Sequence, residues 1–165
     1  PEQQENETLV VGIGSPHGDD RAGWLVAEKL RSNNQNEFYI QIAKSPVDLL
    51  DWLDGVSRLV ICDACHGLGE LGNIHRWIWP APEIGTVAMS GTHNLALPTV
   101  LGIAEKLSRL PGEVVIWAIE GASRKASTEV SHEVEKSVSE VAKQILIELK
   151  ETSYTFQADE CTNNH

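Results

Sequence analysis

The sequence contains few cysteines and no long apolar run. Its 165 residues include only Cys62, Cys65 and Cys161, an odd number that does not suit a disulfide framework, so we expect a reducing compartment. No stretch approaches the about 20 apolar residues that cross a bilayer. Residues 1–7 are polar and acidic, the reverse of a signal peptide. Together these features predict a cytoplasmic protein that has no membrane partner.

Basic residues are also scarce. The chain has 13 lysines and arginines against 24 aspartates and glutamates, a net charge of −11. A protein that binds nucleic acid needs a basic face to neutralise phosphates, so this balance argues against a nucleic-acid partner. The segments 1–7 and 151–165 contain acids and no base. We predict one domain over 8–150, with 1–7 and 151–165 as polar acidic tails.

Strand and helix patterns alternate along the predicted domain. The strands are short, nearly continuous apolar runs, which is typical of a parallel sheet covered on both faces. We therefore predict an α/β fold, a three-layer sandwich with a mostly parallel twisted sheet and helices on both faces. The run 74–79 ends in prolines, so it is an edge strand and the candidate for an antiparallel one. Predicted strands are 8–13, 38–43, 58–63, 74–79 and 113–119, and predicted helices are 19–32, 47–53, 94–108 and 130–150.

In such sheets ligands bind at the carboxyl ends of the strands. The first predicted strand ends in a glycine-rich turn, residues 12–23, which includes the pair Asp19-Asp20. This acidic pair stands where a nucleotide phosphate would lie, and the turn lacks the Gly-Lys-Ser/Thr of a phosphate loop. We interpret Asp19 as the N-cap of the following helix and Asp20 as a free carboxylate that faces the cleft.

The third predicted strand ends in Cys62-Asp63-Ala64-Cys65-His66. The string Cys-x-x-Cys-His matches a haem attachment site, but it begins inside a buried strand, and no helix follows that would activate a redox thiol pair. Cys62 is predicted to be a small buried residue. Asp63 is predicted to be functional, because a carboxylate after an apolar strand costs free energy unless it is bonded or bound to a cation.

A third polar feature is Ser90-Gly-Thr92-His93, directly before the helix predicted from residue 94. A single histidine is more often a satisfied core or surface residue than a ligand. Together, however, Asp20, Asp63 and His93 offer two carboxylates and one imidazole, which suit a first-row divalent metal and leave coordination positions open. His17 and His66 are predicted to be solvent-exposed neighbours of this site.

These three blocks resemble the signature motifs of the hydrogenase maturation proteases, in the same order and spacing from Leu9 to Gly121. The resemblance implies an endopeptidase that trims the C-terminus of the precursor of a nickel-iron hydrogenase large subunit after nickel insertion. It also implies that Asp20, Asp63 and His93 are the metal ligands. The metal would be nickel, supplied by the substrate, and the hydrogenase would be activated by the processing.

No Ser-His-Asp set, Cys-His set or His-Glu-x-x-His motif is apparent, so hydrolysis is assigned to the metal together with the carboxylates of Asp20 and Asp63. The resemblance implies a metal-dependent endopeptidase of the aspartic type. Two departures from the family pattern keep other functions open. Ser15 replaces a common asparagine, and 43–48 replace an Asp-Gly-Gly-Thr-like stretch. The alternatives are a metal-binding accessory protein without peptidase activity and, less favoured, a Rossmann-like nucleotide-binding protein.

Overall fold

The fold of the chain is given by a computed structural model, which describes residues 7–33, 37–89, 95–122 and 128–162, without the side chains of 86 and 153–162. Its strands are β1 (Glu7–Ile13), β2 (Tyr39–Ala43), β3 (Val56–His66), β4 (Ile74–Ile78), β5 (Ala88–Met89) and β6 (Glu113–Glu120). Its helices are α1 (Ala22–Asn33), α2 (Leu97–Lys106) and α3 (His132–Thr162). Short 3₁₀ turns cover Gly18–Arg21, Pro46–Asp51 and Pro82–Thr86.

The sheet has the strand order β2-β1-β3-β6-β4. The pairs β1–β2, β1–β3 and β3–β6 are parallel. The edge strand β4 runs antiparallel to β6, and the short β5 pairs antiparallel with the end of β3. The predicted fold class is confirmed, including the antiparallel edge strand.

Burial follows from the order of the strands. The inner strands β1, β3 and β6 are buried along most of their length, because helices cover both faces of the sheet. One apolar core lies between the sheet and α1 and α3, and the other lies between the sheet and α2 with the 3₁₀ turn Pro46–Asp51. Exposed and partly buried residues alternate along β4, as expected of an edge strand.

Several boundaries differ from the predicted ones. The helix predicted from residue 94 begins at Leu97 and has Pro98 in its first turn, where proline is tolerated. The helix predicted over 47–53 is instead a 3₁₀ turn over Pro46–Asp51, and α3 continues past residue 150 to Thr162. β3 extends to His66, because Cys65 and His66 pair with β5 and Cys65 also pairs with Glu120 of β6. None of the helices in the described ranges combines the length and apolar character of a bilayer span.

Candidate active site at the carboxyl edge of the sheet

Close contact between α1 and the sheet sets the position of the acidic turn. Gly12 of β1 and Gly23 of α1 approach so closely that a Cβ atom on Gly12 would collide with the carbonyl oxygen of Gly23. A Cβ on Gly23 would collide in turn with the carbonyl oxygens of Ile13 and Cys62. The glycines therefore let the start of α1 lie directly over β1 and β3. The turn before α1 is held at the carboxyl edge of the sheet.

Asp19 connects this turn to the chain after β6. Its side chain is only 6% exposed, and its carboxylate accepts hydrogen bonds from the backbone N–H of Ala122 at 2.9 Å and of Ser131 at 2.7 Å. The Ser131 hydroxyl donates a third bond, also at 2.7 Å. The prediction that Asp19 caps α1 is therefore wrong: a 3₁₀ turn precedes the helix, and the carboxylate satisfies donors far along the chain.

Asp20 is paired rather than free. Its Oδ1 lies 3.0 Å from Nε2 of His66, and Nδ1 of His66 lies 3.0 Å from the carbonyl oxygen of Gly121. Both partners of the ring are hydrogen-bond acceptors, an arrangement that favours a proton on each ring nitrogen. The hydrogen bond to Asp20 accordingly raises the pKa of His66, while burial opposes the rise. The prediction that His66 is a solvent-exposed neighbour is corrected, because its ring is largely buried against Asp20.

Asp63 lies inside β3 and not at its end. It is 1% exposed, and its Oδ1 accepts the backbone N–H of Ala64 at 2.8 Å. Since side chains alternate along a strand, Asp63 faces the same side of the sheet as Ile61, toward the core under α2. Asp63 is nevertheless level with the end of β1, because the preceding residue, Cys62, pairs with Gly12, so it lies toward the same edge of the sheet as Asp20 in the turn after β1. The third predicted ligand, His93, lies outside the described residues.

Glu120 is a buried acid of this edge that the sequence analysis missed. It ends β6, is 3% exposed, and its Oε1 accepts the backbone N–H groups of Gly67 at 2.5 Å and Leu68 at 3.1 Å. Its Oε2 accepts the Cys65 thiol at 3.4 Å. The signal that predicted Asp63, an acid that closes an apolar strand, was also present here in the sequence Ile116–Glu120.

The two described cysteines do not form a redox pair. Both are free thiols. They are three residues apart on β3, so their side chains lie on opposite faces of the sheet, that of Cys62 toward α1 and α3. Burial raises the pKa of both thiols well above its usual range; for Cys65 the hydrogen bond to Glu120 adds to the rise. Cys62 is 1% exposed, as predicted for a small buried residue.

The carboxyl edge thus collects the hydrogen-bonded pair of Asp20 and His66 and the buried acids Asp63 and Glu120. Carboxylates placed at such an edge can bind a cation or accept a proton from water. The described residues place no serine or thiolate nucleophile beside an imidazole there, because the thiols are protonated and His66 is already occupied by Asp20 and Gly121. Among the described residues, the groups at this edge that suit a hydrolytic reaction are carboxylates.

Comparison with known protein families gives one clear match. The family described as HycI, hydrogenase maturation protease, matches residues 25–148. This range covers most of the chain and includes Asp63 and the position of His93, and it begins after Asp20. A comparison with curated protein sequences gives no match.

Solved structures of maturation endopeptidases share the fold. The hydrogenase maturating endopeptidase HybD from E. coli has a TM-score of 0.74 at 20% identity, over 88% of this chain and 93% of that chain. HycI from Thermococcus kodakarensis KOD1 has a TM-score of 0.69 at 22% identity, over 88% and 93%. HybD from Thermococcus kodakarensis has a TM-score of 0.65 at 21% identity, over 87% and 98%. At these identities the likeness establishes the fold.

Proposed function

Because this chain belongs to the hydrogenase maturation protease family, we propose that it removes a C-terminal peptide from the precursor of a nickel-iron hydrogenase large subunit after nickel insertion. The observation that carries the proposal is that Asp20 and Asp63 both lie toward the carboxyl edge of the sheet, where α/β proteins bind their ligands. Asp20 is in the turn after β1, and Asp63 follows Cys62, which pairs with Gly12 near the end of β1. The free thiols of Cys62 and Cys65 suit a reducing compartment, and we place the reaction in the cytoplasm.

In this proposal the nickel ion belongs to the substrate. Asp20, Asp63 and His93 recognise the nickel that the precursor already holds, and this recognition positions the tail of the precursor at the carboxyl edge. Two carboxylates and an imidazole are a suitable donor set for a first-row divalent ion. Cleavage would then depend on nickel, since a precursor without the ion lacks the group that the three side chains bind.

Hydrolysis is assigned to the two carboxylates as an aspartic-type reaction. A carboxylate takes a proton from water while the water oxygen forms a bond to the carbon of the scissile peptide. The C–N bond then breaks, and the proton passes to the leaving amine. The His66 hydrogen bond fixes the orientation of Asp20, so His66 acts as a positioning residue in this scheme.

The test is cleavage of a nickel-loaded large-subunit precursor, followed by intact-mass spectrometry, with the nickel-free precursor in parallel. We expect cleavage only with nickel, and a loss of rate of about a hundredfold or more in Asp20→Asn and in Asp63→Asn, the range that general-base catalysis supplies. Asp54→Asn is the matched control, because Asp54 is exposed and pairs with Arg109 at a distance from the edge.

Two results would count against the proposal. Cleavage by Asp20→Asn at the rate of the unaltered protein would remove Asp20 from the chemistry. Tight binding of the nickel-loaded precursor without any cleavage would instead favour the accessory protein, which uses the same ligands and leaves the peptide bond intact.

A further inference from the structure

We propose that Cys65, His75 and Glu120 form a zinc site that is separate from the three predicted nickel-recognition residues. The three side chains come from β3, β4 and β6, which are adjacent at this side of the sheet. Cys65 and Glu120 are directly paired in the β3–β6 register. His75 pairs with Ala118, two residues before Glu120, so its side chain lies on the same face as Glu120.

The distances between the donor atoms fit a tetrahedral zinc ion. Sγ of Cys65 is 3.4 Å and Nε2 of His75 is 3.6 Å from Oε2 of Glu120, and all three donors lie within 4.8 Å of one another. Bond lengths of about 2.3 Å to sulfur and about 2.0 Å to nitrogen and oxygen put tetrahedral donors roughly 3.3–3.6 Å apart. The strands already hold two of the three donor separations at these values.

His75 provides an independent sign that a cation belongs here. Its Nε2 atom is buried, and among the described residues it has no hydrogen-bond partner, since 3.6 Å to Glu120 is too long for a hydrogen bond. The ring stacks on Trp77 at 5.4 Å with an interplanar angle of 3°, which fixes where the nitrogen points. A buried ring nitrogen without a partner costs free energy, and a metal ion would remove that cost.

The charges and the donor types favour zinc. A thiolate, a carboxylate and a neutral imidazole together carry two negative charges, which a divalent cation neutralises; the thiol proton passes to the buffer when the sulfur binds metal. Sulfur and imidazole ligands select zinc over magnesium or calcium. The other oxygen of Glu120 is held by the N–H groups of Gly67 and Leu68, which orient the carboxylate as the outer shell of a metal site does.

The site would fasten the edge strand to the centre of the sheet. The loop between Gly67 and Asn73 joins β3 to β4, and both of its ends lie against Glu120: the N–H of Gly67 reaches the carboxylate and the N–H of Gly72 reaches the carbonyl oxygen. Three protein ligands leave one tetrahedral position for water. The inference does not depend on the proposed protease reaction, because it uses none of Asp20, Asp63 and His93.

Cobalt is the probe for the test, since a cobalt–thiolate bond gives a charge-transfer absorption in the near ultraviolet. We expect the metal-free full chain to bind one equivalent of cobalt with this absorption, and one equivalent of zinc to abolish it. Cys65→Ala should lose the band and Cys62→Ala, the matched control on the opposite face, should keep it. His75→Gln should weaken cobalt binding by about tenfold or more, whereas His132→Gln, at an exposed position, should not change it.

The proposal is overturned if the folded unaltered protein shows no thiolate band, or if Cys65→Ala retains it. Far-ultraviolet circular dichroism reports whether each variant folds. If Cys65→Ala does not fold, Glu120→Gln and His75→Gln take its place. Unchanged cobalt affinity in both of these variants would also overturn the proposal. Cobalt binding that disappears in Asp20→Asn but persists in Cys65→Ala would place the ion at the other residues and contradict the zinc site.

Discussion

Single residues at the carboxyl edge show how a buried acid is accommodated. Asp19, Asp63 and Glu120 each accept at least one backbone N–H, so backbone donors offset part of the cost of burying these polar side chains. These donors come from the same strand for Asp63, but from positions more than fifty residues away for Asp19 and Glu120. Asp19 and Glu120 therefore also join distant parts of the chain.

The hydrogen bonds of Asp19 predict a large effect on stability. Asp19→Ala removes all three bonds and leaves the N–H of Ser131 without its acceptor. We expect the free energy of unfolding in urea to fall by about 2–3 kcal/mol, the range for hydrogen bonds to a charged group. Asp54→Ala, at an exposed ion pair, should change it by less than about 0.5 kcal/mol. Equal effects of the two substitutions would contradict this assignment.

The pair of His66 and Asp20 predicts a pH dependence. The ordinary histidine pKa is 6.5, and the folded-state pKa of His66 is higher. The pair therefore stabilises the folded protein fully below pH 6.5, and this contribution is lost as the pH rises through the raised pKa. In an NMR titration, Asp20→Asn should lower the pKa of His66 and Asp54→Asn should leave it unchanged. An unaltered pKa of His66 in Asp20→Asn would show that Asp20 is not the cause.

Sequence reasoning at the residue scale placed individual side chains better than it identified their partners. It placed Cys62 in the core and singled out Asp19, Asp20 and Asp63, because an acid next to an apolar strand is visible in the sequence, but it missed Glu120. It predicted Asp19 as a cap and Asp20 as free and missed the partners of both, because Ser131 and His66 are distant along the chain. No local pattern reports such partners.

At the scale of elements, the contact between α1 and the sheet depends on residues without side chains. Gly23→Ala should destabilise the fold by about 3 kcal/mol, because the added methyl group meets backbone oxygens that cannot rotate away. Gly102→Ala in α2 is the matched control: no atom lies within 4 Å of its added Cβ, so the substitution should stabilise α2 by about 0.5–1 kcal/mol. Thermal melts compare the two variants, and equal melting temperatures would contradict the proposed packing.

Element types were predicted well, and their ends were not. Apolar periodicity reflects burial, and the burial of β1, β3 and β6 on both faces is a property of the whole sheet. The residue at which a strand ends depends instead on which neighbouring strands are there to pair with its last residues. β3 continues past Asp63 because β5 and β6 offer partners to Cys65 and His66, and no sequence pattern of β3 itself announces those partners.

At the scale of the molecule, the fold was predictable because alternating strands and helices admit few arrangements of a parallel sheet. The identity of the edge strand followed from Pro80 and Pro82. The position of Asp20 and Asp63 toward the carboxyl edge was predictable from the order of the strands. The Cys65, His75 and Glu120 cluster was not, because its members come together from three strands. Such a cluster depends on which residues of distant strands lie side by side in the sheet, and the sequence pattern does not contain that information.

Zinc should stabilise the whole domain, because the proposed site joins three strands that unfold together. Binding to the folded state alone adds about 2.7 kcal/mol at a free zinc concentration of about a hundred times Kd. For a chain of this size that corresponds to a rise in Tm of about 5–10 °C. Differential scanning calorimetry should show the rise in the unaltered protein and in Cys62→Ala, and a chelator should reverse it. Cys65→Ala should show no rise, since it lacks the sulfur ligand; an equal rise in this variant would mean that zinc stabilises the protein from another site.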